Sequence, residues 1–499
     1  MMQSASQGVV MFVMNDLLND PRVQREARSA VRAGFSVKVV ATQSDRCRVE
    51  RETLDGYEVV RVPVRHFGLV SIAFRCLGLF LLIMPILKEG ARWALELPPG
   101  PEAPGRAQGT PSRLRRIKWG LMRVVGLLLL PLRLVRPLLL RRLNLTHQAD
   151  APSETAPNET SRGVLRYLSE TGFMLDTLWI SLAMLWAARS ARAAVFHGND
   201  LPTLPVTTWA ARLYGGKTLY DSHELWVGMN PENTLFFDRA SRWVETRYIR
   251  RMDAVVTVND LIADELRRRY RIPQPTVVMN CPEPAISSQA VTDHSIRATL
   301  GLSPEIPLIL YQGRYEPGRG LEELIESGRY LTRGVIVLRG YGSNEDDLRR
   351  RAAELSVPGR VFLVEPVPMA DLVPAAAEAD VGVVPYTAYS PGYYYASPNK
   401  LFEYMMAGLA IAVSNLPVLE KIVRDHDLGV VFDPADPRHI AAQLNALVEN
   451  PMRLRTCREN SARAGRERFH WNHEGGKLIN LYQALSRQEM SAVQHGGSQ

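Results

Sequence analysis

The 499-residue chain is poor in cysteine, has little lysine among its basic side chains, and lacks a long apolar run free of charge. Each shortage excludes something. The four cysteines, Cys47, Cys76, Cys281 and Cys457, are far apart and form no Cys-x-x-Cys pair. That argues against a disulfide framework or structural zinc and suits a reducing compartment. Arginine supplies nearly all of the positive charge, and the net balance is +8. A basic surface suits nucleic acid, anionic lipid or phosphorylated substrates. There is no zinc finger, no RNA-binding signature and no long Lys/Arg tail, so nucleic acid is set aside as a partner. The opening MMQSASQGVVMFVMND lacks a basic n-region followed by a long apolar stretch. It reads as a first buried strand, which points to a cytoplasmic chain and leaves the sequons at Asn144 and Asn158 without consequence.

What is present is length and periodicity. A chain this long is expected to split into at least two domains. Residues 8–14, a helix-like stretch from Pro21 to Ala33 closed by Gly34, and 36–41 read as β-α-β, the opening of a doubly wound parallel sheet. Further strands are expected near 57–62, 193–197, 217–221 and 253–258, and 276–284 reads as a strand running into an interdomain linker. A second α/β series follows, with strands at 307–312, 334–338, 361–364, 380–385, 410–414 and 429–432, and a last helix near 473–486. Between the two halves of the first series lies an insertion at about 65–162. Its segment 67–87 is apolar except for Arg75, and its uninterrupted part, 76–87, is short of the roughly 20 residues a span needs. Residues 98–112 read as a loop and 148–161 as polar and disordered. Residues 113–142 mix leucine, Trp119 and many arginines, a composition that suits the interface of an anionic leaflet. Peripheral or monotopic attachment is the expectation. Spanning, re-entrant insertion and a soluble helical cap are the alternatives.

The second series carries the sharper motifs. YQGRYEPGRG (311–320) leaves an apolar strand and opens a helix near Leu321. Gly313, Gly318 and Gly320 permit close backbone approach, and Arg314 and Arg319 add permanent bidentate donors beside a helix N-terminus. These are the parts of a diphosphate site; a surface loop with two solvated arginines is the plainer alternative. In SPNKLFEYMMAGLAIAVS (397–414), Pro398 pre-sets a helix. Lys400 lies in its first turn, where the helix dipole disfavours a cation unless an anion binds there. Glu403 falls off the core-facing stripe and can accept from a ribose diol.

These motifs make the chain resemble the family-4 retaining glycosyltransferases of the GT-B fold, over both series and outside roughly 65–160. The family's Gly-Arg and basic-Gly pattern matches 313–320, and Pro-x-Lys-x-x-Glu-Tyr-x-x-x-Gly matches 398–408. The resemblance implies that Arg314 and Arg319 hold the donor diphosphate and Glu403 the ribose, with Gly313, Gly320, Asn399, Lys400 and Leu401 around the nucleotide-sugar. One departure is visible: where the family carries a first glutamate, this chain has Tyr395 in a tyrosine-rich stretch.

In the first series polar residues gather after strands. FHGNDLP (196–202) brings His197, Asn199 and Asp200 together, and DSHELW (221–226) brings Asp221, His223 and Glu224. Residues at strand carboxyl ends line the cleft of such folds. On its own terms His197 reads equally as a structural histidine or as a cleft-facing group; in the resembled family a histidine there faces the reacting sugar and acceptor. His223 or Glu224 is expected on the acceptor side, and Arg22 or Arg25 of NDPRVQREA against the acceptor or the donor phosphates. The Asp-x-Asp at Asp425–Asp427 lies in a loop away from these ends, so no metal and no cofactor are expected.

The sequence therefore predicts an α/β, GT-B-like protein: two Rossmann-like domains, 1–284 and 285–470, facing a cleft, then residues 471–499 as a helix returning to the first domain and a disordered tail. The expected reaction moves a sugar from a UDP- or GDP-linked donor to a lipid-linked or glycan acceptor at the cytoplasmic membrane face. His197, Arg314 and Arg319 would do the chemistry, with the acceptor proton passing to a donor phosphate oxygen. A nucleotide-sugar 2-epimerase and a non-catalytic membrane scaffold are the rival classes.

Overall fold

A computed structural model describes residues 8–64, 159–228, 233–284, 295–355, 357 and 359–496. The insertion's segments 67–87, 98–112 and 113–142 lie outside these residues. Compactness separates residues 65–178 as one unit from the rest of the chain. Within that first unit the described chain is part of the helix Glu159–Ala188, which continues into the second unit and takes in the end of the stretch expected to be disordered. Among the described residues no helix is long and apolar enough to cross a membrane.

The larger unit holds two sheets. The first orders its strands β3-β4-β2-β1-β5-β6-β7-β8, with β1 Gly8–Phe12, β2 Ser36–Thr42, β3 Arg51–Leu54, β4 Tyr57–Val62, β5 Val195–Asn199, β6 Lys217–Ser222, β7 Ala254–Thr257 and β8 Thr276–Val277. Every pairing is parallel except β3–β4. That hairpin, turning at Asp55–Gly56, is a strand the periodicity did not suggest, because four residues at a sheet edge bury little. The second sheet orders β11-β10-β9-β12-β13-β14, with β9 Leu308–Tyr315, β10 Val335–Gly342, β11 Val361–Val364, β12 Val381–Val384, β13 Ala410–Ser414 and β14 Gly429–Phe432. It is wholly parallel, and its order reverses between β9 and β12, the switch point where such sheets take ligands.

Both sheets are covered on both faces, so their central strands, such as β1 and β12, are apolar and buried along their length. Alternation sends Leu308 and Leu310 into one core and Ile309 and Tyr311 into the other. In the first sheet Val9 and Met11 face one way and Val10 and Phe12 the other. β9 and β10 each run beyond their expected ends, pairing as far as Tyr315 and Gly342, so the Gly-Arg motif begins inside a strand. The last helix, Trp471–Gly496, is longer than expected. It packs Trp471, Leu478, Tyr482 and Leu485 into the core of the first sheet, and the Trp471 indole donates to Ser29 Oγ at 2.8 Å.

Gly320 sits where β9's loop enters the helix Leu321–Ser327, with φ at 65°. A Cβ there would lie 1.9 Å from the Pro385 carbonyl oxygen. Gly320→Ala is expected to cost about 3 kcal/mol from left-handed strain and that clash, read as a clear fall in thermal midpoint. An unchanged midpoint would contradict this conformation.

Candidate functional site

A cavity of about 420 Å³ opens at the switch point of the second sheet. Its floor comes from β9 and from the helix Asn399–Ala407. Gly313 and Arg314 come from the last residues of the strand, before Tyr315, Asn399, Lys400 and Glu403 face in from the helix, and Arg319 and Tyr386 close one side. The segments that follow β6 and β8 of the first sheet contribute His223, Glu224 and Asn280. Asn280 joins the walls, donating to Asn399 Oδ1 at 2.8 Å.

The cations are held without being neutralised. Glu316 bridges Arg314 and Arg319, at 2.9 Å from each, and keeps the two guanidinium groups side by side. Arg319 also lies over Tyr386, 4.5 Å from the ring centre, and donates to its hydroxyl. Arg314 is 64% exposed in its side chain and Arg319 only 21%, so Arg319 is the cation presented inside the cavity. Lys400 is buried over the face of Tyr311, with its Nζ 3.7 Å from the ring centre. Burial, and then the nearby Arg319, push its pKa well below the usual lysine range, against the pull of Glu403. Glu403 in turn is raised by burial and drawn back by Lys400 and Arg25. Two cations crowded in a poorly solvated recess form a site that an anion completes.

Beneath the other wall runs a buried charge network. Arg22 on the helix Pro21–Arg32 gives Asp221 bonds of 2.9 and 2.6 Å, donates to the Val278 carbonyl, and pairs with Glu26 at 3.1 Å. Burial alone would raise Asp221, but Arg22 and the imidazoles of His223 and His197 outweigh it and hold the carboxyl far below its ordinary value. Burial and Asp221 lift Glu26 well above its own. His223 stands at the cavity edge, braced by Asp200 on Nδ1 at 3.2 Å and Asn199 on Nε2 at 3.2 Å. Burial opposes its charge, yet Asp200 and Asp221 outweigh it and raise its pKa well above the usual histidine range.

Three expected contacts are displaced by this packing. His197 is completely enclosed on β5, where alternation turns its ring toward the last helix; its Nδ1 shares a 2.6 Å hydrogen bond with Tyr482. Burial lowers its pKa to about 3, so the ring is neutral and lies under the cavity wall, apart from the lining residues. The cavity-edge histidine is His223. Arg22 has all three guanidinium nitrogens committed inside the fold and cannot meet a ligand. Leu401 turns into the core of the second sheet. Asn199 and Asp200 reach the cavity only through His223, and Gly320 shapes the loop without lining it. Asp425 and Asp427 are tied to Lys421 and Arg453 on the surface.

Comparison with known proteins decides the family. Residues 293–464 match the family model described as glycosyl transferases group 1, and residues 140–282 match glycosyltransferase family 4. The chain belongs to the family-4 glycosyltransferases. Among curated relatives, the D-inositol 3-phosphate glycosyltransferase of Xylanimonas cellulosilytica is 28% identical over 256 residues, covering 49% of this chain and 60% of the relative. The namesake from Thermobispora bispora is 27% identical, over 44% of this chain and 51% of its own length. The chain thus spans between about half and three fifths of these relatives' length. Among solved structures, sucrose-phosphate synthase from Thermosynechococcus elongatus superposes with a TM-score of 0.64 at 16% identity, over 96% of this chain and 99% of the other. That likeness confirms the two-sheet GT-B fold.

Sequence reasoning missed Tyr386 and Asn280. Tyr386 follows β12 at the switch point, a position that could have marked it. Asn280 lies in an irregular stretch after the two-residue β8, where no periodicity pointed to a ligand-facing side chain.

Proposed function

We propose that this glycosyltransferase moves a hexosyl group from a UDP- or GDP-linked donor to a hydroxyl of a membrane-associated acceptor, a lipid-linked glycan or polysaccharide precursor, with retention of configuration. The observation that carries the reading is the crowding of Arg319 and the buried Lys400 at the switch point of the second sheet, with Glu403 one turn on. Arg314, Arg319 and Lys400 would take up the negative charge that develops as the diphosphate departs, where preorganised donors are most effective. Glu403, on the cavity lining, would accept from the ribose hydroxyls. Crystals of Anabaena HepE with UDP and glucose share the fold, at a TM-score of 0.59, 12% identity, and coverage of 96% of this chain and 100% of that one. No metal or cofactor enters the proposed reaction. The basic, leucine-rich stretch 113–142 supports work at the cytoplasmic face of an anionic membrane.

The test is a donor screen. Full-length protein, membrane extract from the source cell and a panel of UDP-, GDP- and ADP-sugars are incubated, and nucleoside diphosphate release is measured. One donor is expected to be consumed with label transferred to the extract, and Lys400→Met to slow this about 100-fold. Conversion of the donor sugar without any acceptor would favour an epimerase. No turnover of any donor would defeat the reading.

A further inference from the structure

We propose that the first domain docks on an anionic bilayer through the outer faces of three neighbouring helices, which lie flat in the lipid headgroup layer. The inference rests on the reading of a membrane-associated acceptor above and names the surface that meets the membrane. One face of the first sheet is covered by the helices Pro21–Arg32 and Trp471–Gly496. The other is covered by the end of Glu159–Ala188, by Leu204–Tyr214 and by Leu235–Ile249. These three stand side by side. The Tyr214 hydroxyl donates to the Leu185 carbonyl at 2.9 Å, and the rings of Trp209 and Tyr248 meet edge to face with centres 6.4 Å apart.

Burial of the inner faces leaves large apolar side chains outside. Trp186, Leu213, Leu235 and Trp243 are between 65% and 76% exposed. A single exposed leucine is ordinary; two tryptophans this exposed on one side of a domain mark a surface that something covers. The charges among them are of one sign. Arg212, Arg239, Arg242 and Arg247 are exposed, and among the described residues none of the four has an ion-pair partner. Residues 179–188 and 204–214 hold no carboxylate. In 235–249, Glu245 is buried against the Tyr270 hydroxyl and Asp238 is half-buried beside Asn233. The helices of the second domain are built differently: Arg349, Arg351, Arg424 and Arg455 each pair with a carboxylate one turn away.

Unpaired arginine set between exposed tryptophan and leucine is complementary to an anionic leaflet. Lipid phosphates take the cations while the rings enter the headgroup boundary. Arg189, stacked 4.0 Å from the Trp186 ring centre, combines both groups at one point. The helix Leu235–Ile249 follows β6, so its first turn lies at the carboxyl end of the sheet, the end that carries His223 and the cavity. A bilayer against this helix brings lipid headgroups to the cavity's end of the domain, where a membrane-held acceptor has to arrive.

The test uses full-length protein carrying Cys76→Ser, which leaves the buried Cys47, Cys281 and Cys457. A nitroxide is attached at Trp243→Cys or, as a control, at Met452→Cys on an exposed site of the second domain. On vesicles of phosphatidylcholine with about one-third phosphatidylglycerol, the label at 243 is expected to lose about fivefold in accessibility to a water-soluble relaxation agent, and the label at 452 to stay unchanged. Arg239→Gln with Arg242→Gln should weaken vesicle binding about 25-fold, roughly fivefold for each cation. UDP and GDP affinity should hold within about twofold, because neither arginine lines the cavity. A label at 243 that stays in water while the protein binds vesicles would overturn the assignment and leave the membrane reading standing. So would undiminished binding by the double variant, or a label already immobilised without vesicles, since protein would then cover this face. Failure of the wild type to bind these vesicles would defeat both this surface and the membrane-associated acceptor, whereas donor turnover in the screen would still uphold the transferase.

Discussion

Arg319→Ala is expected to weaken UDP or GDP binding by about 100-fold or more while leaving the fold intact. A guanidinium that gives two charge-assisted hydrogen bonds to a phosphate contributes roughly 1.5–3 kcal/mol for each. In this site the group is already oriented: it lies over Tyr386, with Tyr393 on another side at 5.1 Å, and Glu316 holds its Nη2. Little side-chain entropy remains to be lost on binding, so most of the interaction appears as affinity. Arg314→Ala is the informative contrast. Its more exposed guanidinium works against solvent screening, and its loss should cost about tenfold or less. Titration calorimetry with UDP and GDP, beside thermal melts of both variants, checks the pair. Equal affinity in Arg319→Ala and wild type would remove the diphosphate from this site.

Asp221→Ala is expected to destabilise the protein by roughly 3–5 kcal/mol, because it removes the carboxylate that takes two of Arg22's bonds and leaves the buried guanidinium with Glu26 alone, a carboxyl that burial holds well above its ordinary pKa. Replacing both partners together, Arg22→Met with Asp221→Leu, should recover much of that loss, since the cost lies in the unpaired charge. The pH dependence has a definite sign. Asp221 is held below its unfolded pKa, so its contribution is complete above that value, about 4, and is lost as pH falls toward the folded value. The variant's stability curve should therefore be flatter than wild type's on the acid side. Denaturant unfolding across pH 3–7 measures this. A variant as stable as wild type at pH 7 would mean that the buried pair carries no stability.

The same pair explains why the first domain's site was only half legible. His197 and His223 both follow apolar strands, and by sequence alone the earlier one has the stronger motif. Their fates differ by position along a strand. His197 lies within β5, in the middle of a sheet covered on both faces, and alternation turns it toward Tyr482. His223 comes one residue after β6 ends, where the chain leaves the sheet and the side chain can reach the cavity. A shift of two residues in a strand end is within the uncertainty of any periodicity argument, yet it separates a core group from a surface one. Arg22 and Arg25 differ in a comparable way. They are one turn apart on a helix, but Arg22 meets Asp221, whereas Arg25 bonds to Asn280 near Glu403, and burial with Arg22's charge lowers its pKa to about 10.

Local chemistry wrote the two sheets, the donor motifs at 313–320 and 398–408, and the return of the last helix into the sequence itself. Strand alternation, helix capping and glycine geometry act between near neighbours, so those features are readable without coordinates. Which side chains share one cavity, which charges are stranded and which are spare, was decided only when the two sheets met. Burial and field depend on residues hundreds of positions apart, and that is why the burial of Arg22 against Asp221 and that carboxyl's shifted acidity appear only in the folded chain.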